Sequence, residues 1–310
     1  MLIHIKAAMK LNMFISVIAA PKWEDPHMGK ISLAAKVTHV PSMFLSELPG
    51  QHHGCRQSAI DGLIEIRRRC EADAVDTLVV FDTHWLVNSG FHINASARYQ
   101  GIYTSNEFPQ FIQNLTYDYA GAPELGDAVA QIARAKGVRI EAHHVDTLEL
   151  EYGTLVPLKY INPDHRMKVL SIAAWCPWHE LEDSRRIGEA VREAIEASGC
   201  TAAVLASGSL SHRIHDNNEA QAGIHTISNE FYRQVDKRVL DLWTQGRFEE
   251  FTAMLPEYAR ACHGEGLMHD TAMLMGLLGW DKYTGKAEIL TDYFTSSGTG
   301  QVNAVFPLAA

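Results

Sequence analysis

The feature that most constrains this chain is a regular alternation of short apolar, β-branched runs with longer stretches of helical periodicity. Strand-type runs fall at 31–37, 77–81, 138–142, 169–175 and 201–206. Thr77-Leu78-Val79-Val80-Phe81 is typical, being β-branched, aromatic and too short for a buried helix. Between them, 56–72 places Ile60, Leu63 and Ile64 at helical spacing. Segment 124–136 aligns Leu125, Val129, Ile132 and Ala133 and stops at Gly137, and 183–198 aligns Ile187, Val191, Ala194 and Ile195. A long helix is expected over 228–245, from Phe231, Val235, Val239 and Leu242, with further helices at 248–261 and 267–278. This pattern predicts a single α/β domain, with a largely parallel or mixed central sheet covered by helices on both faces.

No repeat or flexible linker divides 28–310. Residues 1–27 read differently: Lys6 and Lys10 precede the apolar stretch 11–20, and Met28-Gly29-Lys30 makes a natural start. They are expected to be an N-terminal extension outside the fold. The formal charge of −10 argues against nucleic acid or an anionic membrane surface as partner, since phosphates need a basic footprint. The 5 cysteines are an odd number, widely spaced and without a CxxC pair. That excludes a disulfide scaffold and a structural zinc site, and favours the cytoplasm. No apolar run reaches the roughly 18 residues needed to span a bilayer.

Histidine is unusually abundant, at 16 residues, and three histidines fall where open α/β sheets place chemistry, beyond the carboxyl ends of strands. His39 follows the strand ending at Val37, His84 the strand ending at Phe81-Asp82, and His212 the strand ending at Ala206. A fourth element is His263-Gly264-Glu265-Gly266-Leu267-Met268-His269-Asp270, at the start of a late helix. Its glycines let the backbone turn tightly and aim a carboxylate, with Glu265 and Asp270 both candidates. Two neutral imidazoles and one carboxylate leave open positions on a metal, an arrangement suited to oxygen activation at non-haem Fe(II). The same donors also suit a zinc-dependent hydrolase. A binding protein without activity would be expected to lack one of the ligand histidines. Ser297-Gly298-Thr299-Gly300 lacks a following helix and the Gly-Lys-Ser/Thr signature, so it reads as a turn-rich terminal segment and not a phosphate loop.

Thr38-His39-Val40-Pro41-Ser42, Phe81-Asp82-Thr83-His84 and Ser209-Leu210-Ser211-His212-Arg213 together resemble the class III extradiol ring-cleaving dioxygenases, the superfamily that includes the β subunit of protocatechuate 4,5-dioxygenase. The likeness runs from Met28-Gly29-Lys30 to Val305-Phe306-Pro307, which makes 28–310 the expected catalytic domain. It is closest to members acting on 3,4-dihydroxyphenylacetate. The resemblance implies His39, His84 and Glu265 as ligands of Fe(II) and His212 as catalytic acid/base. Asp270 stays open as the carboxylate ligand, because part of the superfamily counts four residues from its glutamate to an aromatic. Tyr152 stands where some relatives carry an additional active-site histidine; its phenol donates a hydrogen bond but is no base near neutral pH. The implied substrates are a catechol and O2, with another catechol or an aminophenol as the alternative. A substrate carboxylate would need a cationic or hydrogen-bonding partner, for which Arg213 and His53, or its neighbour His52, are the candidates. A homo-oligomer is expected.

Overall fold

The computed structural model describes residues 28–215 and 223–308; the segment 1–27 lies outside them. Strand β1 (Lys30–Val37) leads into a short helix α1 (Ser42–Glu47) and the long α2 (Gln57–Ala72). Then come β2 (Thr77–Leu86), β3 (Phe91–Asn94), the hairpin β4 (Arg98–Tyr103) and β5 (Leu115–Ala120), α3 (Pro123–Ala135) and β6 (Ile140–His143). The chain continues through α4 (Tyr152–Ile161), β7 (Lys168–Trp175), α5 (Leu181–Ala197) and β8 (Thr201–Ser207). Helices α6 (Glu230–Gln245), α7 (Phe248–Ala261) and α8 (His269–Leu278) precede a closing pair of strands, β9 (Glu288–Ser296) and β10 (Thr299–Val305).

Among the described residues, eight strands form one mixed sheet in the order β6-β3-β7-β2-β8-β1-β10-β9, and β4-β5 pair apart from it. The centre, β7-β2-β8-β1, is parallel. Its residues alternate between two cores, as the period of a strand requires. In β2, Val79 and Phe81 pack on one face with α3, α5 and α8, while Leu78 and Val80 pack on the other with α2 and α4. The expected α/β architecture, with helices on both faces, is what the chain adopts.

Local differences from the sequence reading all bear on the site. The expected strand 77–81 runs on to Leu86, and its register against β7 breaks after Asp82, so His84 lies on the irregular end of the strand and not beyond it. The segment between β1 and α2, for which no element is expected, contains the short helix α1. Tyr152 opens a helix that carries an internal proline, Pro157. A proline removes the N–H that would bond the carbonyl four residues back, here that of Gly153; the Ser207 hydroxyl donates to that carbonyl instead. The turn-rich terminus is a β-hairpin whose turn at Ser297-Gly298 lies in the left-handed region, and β10 pairs antiparallel with β1.

Helices α5 and α8 touch through Gly188, where a Cβ would stand 1.9 Å from the Met273 carbonyl oxygen. Gly188→Ala is therefore expected to destabilise the fold by about 1–3 kcal/mol through overpacking. Gly199→Ala, at an exposed position where a Cβ meets nothing within 4 Å, serves as the control and is expected not to weaken it. Urea unfolding midpoints read both.

Candidate metal centre

Three strand ends and one strained turn converge on a single buried carboxylate. Glu265 sits on a 3-10 turn, Glu265–Met268, in which Gly266, Leu267 and Met268 all have positive φ. Gly266 is needed twice over: its φ is 53°, and a Cβ there would stand 2.8 Å from the Ala174 carbonyl oxygen. The turn drives Glu265 inward until it is 4% exposed. Its Oε1 lies 3.0 Å from His39 Nε2 and 3.4 Å from His84 Nε2. Thr83 Oγ1 donates to the same oxygen at 2.8 Å, and the Ser209 backbone N–H donates to Oε2. His212 Nε2 stands 3.8 Å from Oε2.

One ligand atom from each of His39, His84 and Glu265 lies within 4.8 Å of the others. Two imidazole nitrogens and a carboxylate oxygen aimed at one point form the donor set of a facial triad, and the residues present fit a borderline divalent ion such as Fe(II). Burial by itself would raise the Glu265 pKa, but the surrounding histidines hold the carboxyl well below its usual range, so it is ionised. Burial would lower the His39 pKa; the charge and hydrogen bond of Glu265 outweigh it, and the net shift is upward.

Hydrogen bonds behind the ligands fix their orientation. Ser207 Oγ spends its only proton on the Gly153 carbonyl, so it accepts from His39 Nδ1–H at 2.9 Å. With Nδ1–H held in this way, a metal taking the place of the Nε2 proton would meet the Nε2 lone pair at the centre. Asp82, fully buried, accepts from the His84 backbone N–H at 2.8 Å and from the Thr154 hydroxyl at 2.5 Å, which pins the irregular end of β2. The Tyr152 ring lies against His84, with centroids 3.6 Å apart, and its hydroxyl donates to Glu107 at 3.1 Å. Burial and the Glu107 charge push the Tyr152 pKa far up, so the phenol keeps its proton.

His212 is neutral near pH 7, because burial depresses its pKa more than Glu265 raises it. Its segment is stitched between two others: the His212 N–H donates to the His263 carbonyl at 2.9 Å, and His212 bridges Thr299 of the terminal hairpin. Just before it, Ser211 donates through its hydroxyl (2.7 Å) and its N–H (3.2 Å) to the buried Asp236, which also accepts from Tyr258 and Tyr293.

The structure thus brings together His39, His84, Glu265, His212 and Tyr152, and all but Glu265 line a cavity of about 430 Å³. Arg213 and His53 are exposed and lie off its wall; their neighbours Ile214 and His52 line it. Asp270, the alternative carboxylate, is fully buried and pairs with Lys36 beside the site, outside the cluster of His39, His84 and Glu265. Asp82, Ser207, Thr83 and Glu107 were not singled out from the sequence. Asp82 and Thr83 lie inside a quoted motif, and Ser207 opens the Ser207-Gly208-Ser209 end of a strand, whereas Glu107 carries no signal.

Residues 33–307 match the family described as the catalytic LigB subunit of aromatic ring-opening dioxygenase. The chain is 56% identical over 270 residues to the 3,4-dihydroxyphenylacetate 2,3-dioxygenase of Escherichia coli, an alignment covering 87% of this chain and 98% of that protein. It is 28% identical over 254 residues to the β subunit of a Pseudomonas 2-aminophenol 1,6-dioxygenase, covering 76% of this chain and 82% of that one. The crystal structure of an uncharacterized Escherichia coli K12 protein superposes with a TM-score of 0.53 at 12% identity, covering 89% of this chain and 100% of that one, a likeness of fold alone.

Ser207→Ala would leave His39 Nδ1 and the Gly153 carbonyl without their partner, and metal affinity is expected to fall about 10–100-fold. Chelator competition measures it. Glu265→Ala is expected to abolish metal binding. Asp270→Ala strands the buried Lys36 and is expected to cost about 3–5 kcal/mol of stability, while the folded fraction retains metal. Metal content and thermal melting of the two variants separate these roles.

Proposed function

The chain belongs to the family of the catalytic LigB subunit of aromatic ring-opening dioxygenases, and on that footing we propose that it cleaves 3,4-dihydroxyphenylacetate beside its two hydroxyls. Dioxygen is consumed, and the product is 5-carboxymethyl-2-hydroxymuconate semialdehyde. The activity is extradiol ring cleavage, an oxidoreductase reaction. The observation that carries the reading is the convergence of His39 Nε2, His84 Nε2 and Glu265 Oε1 at the inner end of a cavity of about 430 Å³, large enough for one substituted catechol.

His39, His84 and Glu265 would hold Fe(II), which when bound supplies a Lewis-acidic, redox-active centre with open positions for a catechol and O2. The protein then has three tasks. His212, neutral and lining the cavity, accepts a proton from a catechol hydroxyl at Nε2 and returns it as the ring opens; such help is typically worth about 10²–10⁴-fold. Tyr152 remains a protonated phenol whose proton is given to Glu107, and its ring packs against His84 at the same end. Phe108, Phe111 and Leu45 supply an apolar wall for the ring and exclude water from it. The 5 cysteines are free thiols, which supports a reducing, cytoplasmic setting.

Anaerobic protein loaded with Fe(II), given 3,4-dihydroxyphenylacetate and then oxygen, is expected to take up one O2 per catechol and to form a yellow ring-opened chromophore. Failure to consume oxygen with any catechol would overturn the reading. His212→Ala is expected to retain iron and lose about 10²–10⁴-fold in kcat.

A further inference from the structure

A substrate that carries a carboxylate needs a complementary charge, yet no lysine or arginine lines the cavity among the described residues. A buried candidate lies one layer behind its wall. Arg56, the residue preceding α2, is 4% exposed, and among the described residues it has no carboxylate within ion-pair distance. That sets it apart from Lys36, the other buried cation, which pairs with Asp270. An unpaired buried guanidinium is costly, and burial indeed pushes its pKa down.

Its surroundings are built to hold it in place. The guanidinium lies over the Phe294 ring, 5.0 Å from the centroid, and Nη2 donates to the Ile224 carbonyl at 2.5 Å. Nε donates to Ser42 Oγ at 2.9 Å, and Ser42 Oγ lies 3.2 Å from Ser296 Oγ. Ser42, Ser296 and Ile224 all line the cavity. Proton counting then gives a direction. The Ser42 oxygen already accepts from Arg56, and the two serines share one hydrogen bond between them. Whichever serine donates in that bond, one hydroxyl proton remains without an acceptor among the described residues. A hydroxyl donor on the cavity wall, backed by a fixed positive charge, is a carboxylate site.

We propose that Arg56, acting through the Ser42–Ser296 hydroxyl pair, holds the carboxylate of the acidic catechol and sets the preference for acidic over neutral substrates. The proposal rests on the ring-opening reading of the same cavity. Arg56 is a specificity-determining residue here, and the serines are the groups that touch substrate.

The test compares wild type, Arg56→Met and Arg56→Lys. Iron-loaded enzymes are assayed with 3,4-dihydroxyphenylacetate and with its neutral analogue 2-(3,4-dihydroxyphenyl)ethanol, and phenylacetate binding to the metal-free proteins is followed by calorimetry. In Arg56→Met the ratio of kcat/KM for acid over alcohol is expected to fall about 10–100-fold, the scale of a hydrogen bond to a charged group, with phenylacetate binding weakened in parallel. Arg56→Lys, which keeps the charge, is expected to recover part of both. An unchanged ratio, or equal losses on acid and alcohol with no recovery in Arg56→Lys, would overturn the proposal. Should Arg56→Met fail to fold, Ser42→Ala is judged on the same ratio. Failure of the ring-opening reading looks different: wild type would open neither ring, while the phenylacetate titrations would still report on Arg56.

Discussion

A buried carboxylate has to be satisfied from somewhere, and in this protein the Glu265 side chain draws its partners from every part of the fold that matters. Thr83 comes from the end of β2, the Ser209 N–H from the segment after β8, and His39 from the segment after β1. Those three strands are neighbours in the parallel centre of the sheet, so one carboxylate ties their carboxyl ends together. The single Thr83 hydroxyl proton is shared between Glu265 Oε1 and the Ser207 carbonyl, 2.9 Å away, which holds β2 beside β8 at the same level. The crevice of an open α/β sheet is thereby turned into a rigid site, with the ligand geometry set before any substrate arrives.

The cost of assembling so much polarity in a core is met group by group. Ser207 mediates between a helix carbonyl freed by Pro157 and the His39 ring, so an apparent defect in α4 becomes the orienter of a ligand. Asp236 accepts from Ser211, Tyr258 and Tyr293 and so keeps the His212 segment in register with α6, α7 and the terminal hairpin. Lys36 and Asp270 neutralise one another beside the site, close enough that a Cβ on Gly208 would touch both. A side chain at Gly208 would therefore push on the ion pair and on Thr83 together, which accounts for glycine at that strand end.

What could be read from the sequence follows from how far apart the interacting residues lie. The α/β class and the three histidines are local signals: a β-branched run, then a histidine within a few residues of its end. Glu265 was legible through its flanking glycines, and the structure gives the reason in the positive φ of Gly266 and its closeness to Ala174. Tyr152 was visible only through resemblance, since nothing in its own segment announces a helix with a proline inside. Ser207, Asp82 and Arg56 were beyond reach for a common reason. Their roles arise from partners 168, 72 and 168 residues away, respectively, and a serine, aspartate or arginine at a strand end or helix start looks the same whether it faces solvent or a core. The carboxylate partners suggested by proximity, Arg213 and His53, show the same limit: adjacent residues on an extended or turning backbone point to different sides, and here Ile214 and His52 take the cavity wall.

The topology separates chemistry from recognition. Metal-type donors sit on the ends of the parallel strands and on the turn before α8, where register and packing leave little freedom. Much of the rest of the cavity wall is drawn from elements outside the parallel centre: α1 and the loop after it, the β4–β5 connection, Ile214 and Ile224 from between β8 and α6, and the antiparallel hairpin β9–β10. The hairpin closes onto the crevice because β10 runs antiparallel to β1, which brings the turn between β9 and β10 back to the end where His39 lies. Ser296 and Thr299, at the two edges of that turn, meet Ser42 and the His212 backbone. A change of substituent on the ring can therefore be met by changing side chains on α1 and the hairpin, without disturbing the hydrogen bonds that hold Glu265. The sheet fixes what is done to the ring, and the antiparallel edge with its facing helix selects which ring is admitted.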